Sequence, residues 1–163
     1  MKKIDRFLLA IIVGVVVLVI IALALALTRQ PQGYMDEATP GSMAYNYIYA
    51  LKQHDYERAY SYLSPDLKGY PPDVDDFVAD ISLYRWQFED TDRSSITIEE
   101  ERINGDRAVI TLTETHFYQS GPFSTRPYSQ SFELTLRQSG ATWKLATGES
   151  YWVHCWNDGR PCK

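Results

Sequence analysis

The sequence predicts an α+β domain, with N-terminal helices on one side of an antiparallel sheet of about four strands, preceded by one transmembrane helix. Three observations carry this reading. Residues 7–27, FLLAIIVGVVVLVIIALALAL, form an unbroken apolar run without a charge. Between Pro40 and Ile81 apolar residues recur at helical spacing. From Ser94 the period changes to two, and Asn104-Gly105 and Ser139-Gly140 punctuate the alternation as turns.

At about 1.5 Å per residue the apolar run spans the roughly 30 Å of a hydrocarbon core. A soluble helix is seldom apolar on every face for that length. Lys2, Lys3 and Arg6 precede the run and Arg29 alone follows closely, so the positive-inside bias places residues 1–6 in the cytoplasm. The expected organisation is a transmembrane anchor over 7–27, a linker over 28–39 and an extracytoplasmic domain over 40–163. Ala22-Leu23-Ala24 and Ala24-Leu25-Ala26 also fit a signal-peptidase site, which leaves secretion after cleavage as the alternative.

Within the domain, Thr39 is a good N-cap and Pro40 suits the first helical position. Ala44, Ile48 and Leu51, flanked by Met43 and Tyr47, give the first helix an apolar stripe. Asp55 caps a second helix carrying Tyr56, Ala59, Tyr60 and Leu63, which Pro65 and Gly69 stop. A third carries Val74, Phe77, Val78 and Ile81 behind an acidic first turn of Asp73, Asp75 and Asp76. In the strand from Arg107 to Tyr118, Ala108, Ile110, Leu112, Glu114, His116 and Tyr118 share one face. Phe132, Leu134 and Leu136 face inward on the next strand, and Trp143 and Leu145 on the last.

Net charge is −5, and without Lys2, Lys3, Arg6 and Asp5 thirteen basic residues face twenty acidic ones. Such a domain repels a phosphate backbone, so nucleic acid is excluded as a partner. Cys155 and Cys162 enclose six residues with a turn at Asp158-Gly159. Outside the cytoplasm two such cysteines pair. The alternative is a metal site with His154, which lacks an evident fourth ligand.

The stretch ALKQHDYERAYSYLSPDLKG, the capped third helix and strands closing on GATWKLATGES resemble the nuclear transport factor two-like superfamily. The resemblance covers roughly Pro40 to Tyr151, and the run from Lys52 to Ser64 is similar to bacterial envelope members. It implies a cone, a strongly bent sheet curled around the helices, often with a cavity at its open end. Members include ketosteroid isomerase-like and polyketide cyclase-like enzymes, adaptors, and binding domains without chemistry. The fold alone therefore does not select a function.

The candidate ligand site is the polar end of the long strand: Glu114 and His116, about 6.6 Å apart along it, with Tyr118, Tyr128 and Gln130. Ile110, Leu112 and Phe132 are expected as an apolar floor. A histidine beside a carboxylate can act as acid or base, yet the same pair also reads as a solvated rim where the strand leaves the core. Asp80, Tyr60 and Tyr84 are of the right types for isomerase chemistry, but acids at helical spacing usually form a solvated face. Asp90, Asp92 and Glu101 imitate a calcium loop whose required glycine is Ser95. The motifs GxSxG, HExxH, GxGxxG and GxxxxGK[ST] do not occur.

The expectation is a non-catalytic extracytoplasmic domain binding a small apolar ligand or an envelope protein, with no catalytic residue, metal or cofactor. An isomerase- or cyclase-type enzyme in the same cavity is the alternative. A third reading is a spacer or adaptor that contacts another membrane protein through a tyrosine-rich surface; should the polar mouth not be the site, the surfaces of Tyr45, Tyr49 and Trp152 are the next candidates.

Overall fold

The computed structural model describes residues 11–21, 33–88, 94–121, 124–160 and 162. The chain falls into two units, Met1–Gly33 and Tyr34–Lys163. In the first, residues 11–21 are helical and every one is exposed. Among the described residues no helix is long and apolar enough to cross a membrane. Both ends of the expected span, 7–10 and 22–27, lie outside the described residues, as do 28–32 of the expected linker.

The second unit begins with α1 (Pro40–Lys52). Thr39 caps it reciprocally with Ser42: the Ser42 N–H reaches Thr39 Oγ1 at 3.1 Å, and the Thr39 N–H reaches Ser42 Oγ at 3.2 Å. The sequence suggests a one-sided stripe, but Pro40 to Ile48, Ala50 and Leu51 are all buried. Two layers explain this. One side of α1 packs against all four strands. Another is covered by the last residues expected as linker, because buried Asn46 takes the Met35 N–H at 2.7 Å and gives its amide to the Met35 carbonyl at 2.8 Å.

The chain leaves α1 through a left-handed residue, His54 (φ 56°). The His54 N–H bonds the Leu51 carbonyl and the Asp55 N–H that of Ala50, which together form a Schellman cap. Asp55 then caps α2 (Tyr56–Ser61) by accepting the Arg58 N–H at 3.3 Å. Beyond it, Tyr62 to Ser64 lie alongside the last strand: Leu145 N–H meets the Tyr62 carbonyl and Ser64 N–H meets the Leu145 carbonyl, each at 2.8 Å. Capped by Asp73, α3 (Val74–Leu83) buries Phe77 and Ile81, and a 3₁₀ turn, Arg85–Gln87, follows.

Strands β1 (Ser94–Asn104), β2 (Arg107–Gly121), β3 (Ser124–Ser139) and β4 (Thr142–Gly148) form an open antiparallel sheet in sequence order. The α+β architecture is as expected. Ala108, Ile110 and Leu112 stand opposite Leu136, Leu134 and Phe132, and all six are buried. Gly105 (φ 60°) and Gly140 (φ 64°) make the two predicted turns. A register shift in β1 between Ile98 and Glu100 reverses the alternation and brings Glu101 Oε2 to within 3.2 Å of the Gly41 N–H, at the start of α1.

The chain ends in a single helical turn, α4 (Cys155–Asp158). Cys155 and Cys162 are joined as a disulfide, with Cα atoms 5.4 Å apart. Trp152, Val153 and Trp156 are fully buried and Tyr45 is nearly so. Trp152 and Tyr45 therefore belong to the packed interior rather than to a docking surface. The Trp152 ring packs in the hydrophobic core, and the Tyr45 ring stacks on Tyr49 at 6.0 Å.

Candidate functional site

Along the inner face of β2 the side chains pass from Ile110 and Leu112, wholly buried, to Glu114 and His116. The register sets Gln130 opposite Glu114 and Tyr128 opposite His116. Glu114 is not a solvated rim residue, since it is 7% exposed. Lys52, in the last turn of α1, places its ammonium 2.9 Å from Oε1, and the Tyr151 hydroxyl donates to the same oxygen at 2.8 Å. His116 Nε2 lies 3.5 Å from Oε2. Lys52 also donates to Ser94 Oγ at the start of β1. Four separate parts of the chain thus converge on one carboxylate.

Burial pushes the Glu114 carboxyl upward, but the hydrogen bonds from Lys52 and Tyr151, with the Lys52 charge, outweigh it. The net result lies below the ordinary carboxylate value. Glu114 is therefore ionised at neutral pH, as half of a largely buried ion pair. Tyr151 itself adopts a left-handed backbone (φ 55°), and its carbonyl accepts the buried Tyr47 hydroxyl at 2.7 Å. A non-glycine residue in that conformation costs about 1 kcal/mol or more. The strain sits on the residue that orients a hydroxyl toward Glu114.

These groups form one wall of a cleft of about 310 Å³. Trp86, 73% exposed, stands at it, with His116, Gln130, Phe132, Glu149, Ser150 and His154 completing the lining. Of the four expected site residues, the structure brings Glu114 and His116 to the cleft. Tyr118 and Tyr128 are 52% and 56% exposed and lie outside the lining, although the Tyr118 ring stacks on His116 at 6.2 Å. The expected apolar floor is also revised. Ile110 and Leu112 are sealed in the core, and only Phe132 of that trio reaches the cleft.

Lys52, Tyr151 and Trp86 were missed because their sequence neighbourhoods carry no site signal, and His154 was weighed only as a metal ligand beside the cysteines. Lys52 and Glu114 are 62 residues apart, and only the seating of α1 on the sheet brings them together. Two of the isomerase-type trio are engaged with other groups. Asp80 accepts the Trp156 indole N–H at 2.8 Å, while the Tyr60 hydroxyl donates to the Pro71 carbonyl at 2.8 Å. Burial raises the Asp80 carboxyl, against the pull of that indole bond. Of the imitation calcium loop, Asp90 and Asp92 lie outside the described residues, and Glu101 is engaged with α1. Asp80, Cys155 and Cys162 lie close enough together for metal binding, but the disulfide leaves no thiolate to bind one.

No protein-family model matches the chain, and no curated protein does. Among solved structures, the chain is similar to a SEC-C motif containing protein from Rhodopseudomonas palustris, at 14% identity over 72% of this chain and 83% of that one, TM-score 0.49. It is also similar to a protein from Thiobacillus denitrificans assigned as a calcium/calmodulin-dependent protein kinase type II association domain (14% identity, 68% and 91% covered, TM-score 0.47). A third is a protein from Streptomyces avermitilis assigned as a dehydratase of the NTF2-like family (16% identity, 66% and 90% covered, TM-score 0.43).

Proposed function

We propose that the chain is a membrane-anchored, extracytoplasmic binding domain of the nuclear transport factor two-like class. Its cleft beside Glu114 recognises a small polar ligand or a polar segment of an envelope partner, without chemistry. The state of Glu114 is the observation that carries this reading. A general base needs a lone pair open to substrate and a proton affinity near the working pH. Glu114 Oε1 already accepts from Lys52 and Tyr151, Oε2 faces His116, and the carboxyl is held below its ordinary value. The second cleft carboxylate, Glu149, accepts the Glu133 N–H at 3.0 Å. What faces the cleft is an exposed indole with imidazole, amide and hydroxyl groups beside it, a set suited to recognition.

Anchoring rests on the apolar run behind Lys2, Lys3 and Arg6. It is supported by residues 11–21, a helix apolar and exposed on all sides, as befits a lipid environment. The resemblance of Lys52 to Ser64 to envelope proteins points to the same side of the membrane.

The test is a thermal-shift screen of small polar compounds against the full chain in a non-ionic detergent. Compounds that raise the melting temperature should lose their effect in Trp86→Ala and His116→Ala. Trp86→Ala, at a position 73% exposed, should fold with stability within about 0.5 kcal/mol of the parent, and circular dichroism should show His116→Ala, whose side chain is 16% exposed beside Glu114, still folded. If mass spectrometry found a stabilising compound converted during incubation, the isomerase- or cyclase-type reading would replace this one. Stabilisation undiminished in both variants would place recognition elsewhere.

A further inference from the structure

A second cleft, of about 650 Å³, opens on the side of the sheet turned away from the core. Arg107 of β2 and Thr135 and Arg137 of β3 alternate with the buried Ala108, Leu134 and Leu136, so they share the outer face. Lys68 and Asp66, from the loop after α2, close it from the side. We propose that this cleft binds a phosphate-bearing ligand.

Charge is the first argument. Three cations, Lys68, Arg107 and Arg137, line the cleft against the single carboxylate of Asp66. This is a local excess of two positive charges in a chain that is acidic overall. A carboxylate ligand would neutralise one of them. A phosphate monoester, at about −1.5 to −2 near neutral pH, matches the excess.

Register is the second. Arg107 and Arg137 are direct partners across the β2–β3 pair. Like charges directly opposite one another destabilise a sheet. Among the described residues neither Arg107 nor Lys68 has an ion-pair partner, and Arg137 has only the exposed Asp106 at 3.9 Å. An anion seated between the two guanidiniums would turn the repulsion into a pair of forked, charge-assisted contacts.

The third argument is the Thr135 side chain. Thr135 is 8% exposed, lines the cleft, and its hydroxyl has no hydrogen-bond partner among the described residues. Buried hydroxyls are normally satisfied. A phosphate oxygen would satisfy this one, and the volume beyond it would admit the body of a small ester.

The experiment uses isotopically labelled full chain in a non-ionic detergent, titrated with inorganic phosphate, glycerol 3-phosphate and the short-chain monoester lipid dihexanoyl phosphatidic acid. Amide shifts of Thr135, Thr147 and Leu67 should move saturably with phosphate, and less as salt screens the cations. Arg107→Gln and Arg137→Gln should each weaken binding about ten- to a hundredfold, the loss of one charge-assisted hydrogen bond. Neither should lower the melting temperature, because each relieves the Arg107–Arg137 repulsion. His116→Ala should leave the titration unchanged, which separates this site from the Glu114 cleft. Glycerol 3-phosphate binding more tightly than the lipid would identify a soluble ester. The reverse order would identify a lipid headgroup. Absence of a saturable shift with all three probes, or shifts unaltered in both arginine variants, would overturn the proposal.

Discussion

Lys52 and Glu114 expose only 11% and 9% of their side chains, so each depends on the other for its charge to be tolerated. Lys52→Met would leave the carboxylate to Tyr151, His116 and Ser94 and should cost up to about 3–5 kcal/mol. The double variant Lys52→Met/Glu114→Gln should recover most of that loss. Urea denaturation around the double-mutant cycle measures the coupling. A single variant within about 0.5 kcal/mol of the parent would refute a dependent pair. Acid should act on the same chemistry. Glu114 is lowered from 4.5 as described, and Glu37 is lowered by hydrogen bonds from Tyr62 and Arg58. Around and below 4.5 the unfolded chain therefore takes up more protons at these two sites than the folded one. Their stabilisation is complete above 4.5 and is lost as pH falls through the lowered native values. Asp80, raised by burial, has the opposite sign: its contribution is lost as pH rises through its native value. Thermal melts should show a fall in stability on acidification below 4.5, smaller in Glu37→Gln.

The short pairing of Tyr62–Ser64 with β4 ties the helices to the sheet edge, and Leu63 at its centre is 1% exposed. Leu63→Asp places an unpaired charge there at a cost of several kcal/mol, against a total stability of about 5–15 kcal/mol. Circular dichroism should find the variant unfolded or molten. A parental melting temperature would contradict the burial. Much at this scale was legible in the sequence. Thr39 and Asp55 announce helix starts through their own hydrogen bonds, Asp73 was read one step inside the helix it caps, and the alternation in β2 and β3 selected the buried face correctly. The β1 bulge was not legible, because nothing in SITIEEERIN marks an extra residue. The Glu114 site was half legible for a related reason. Its polar residues on β2 lie at local spacing, whereas Lys52 and Tyr151 reach them only through the tertiary path of the chain.

For the molecule as a whole, the proposed orientation makes a direct prediction. In intact spheroplasts of a bacterium expressing the chain, added protease should remove the C-terminal domain. Full protection would reverse the orientation. Peptide mapping of exported material without reductant should recover Cys155 and Cys162 as one linked fragment, as their pairing in the structure requires. The segment before α1 has a mechanical consequence of its own. Tyr34 donates to Asp55 at 2.7 Å and lies under the Arg58 guanidinium at 3.5 Å, Met35 is clasped by Asn46, and Glu37 takes Arg58 at 2.9 Å and Tyr62 at 2.5 Å. Tyr34 to Thr39 is therefore fastened along the domain, which withdraws six residues, about 20 Å of reach, from any tether leading to the apolar run. Tension arriving from that side would meet the Met35–Asn46 clasp and the Arg58–Glu37 pair before it reached the cap of α1.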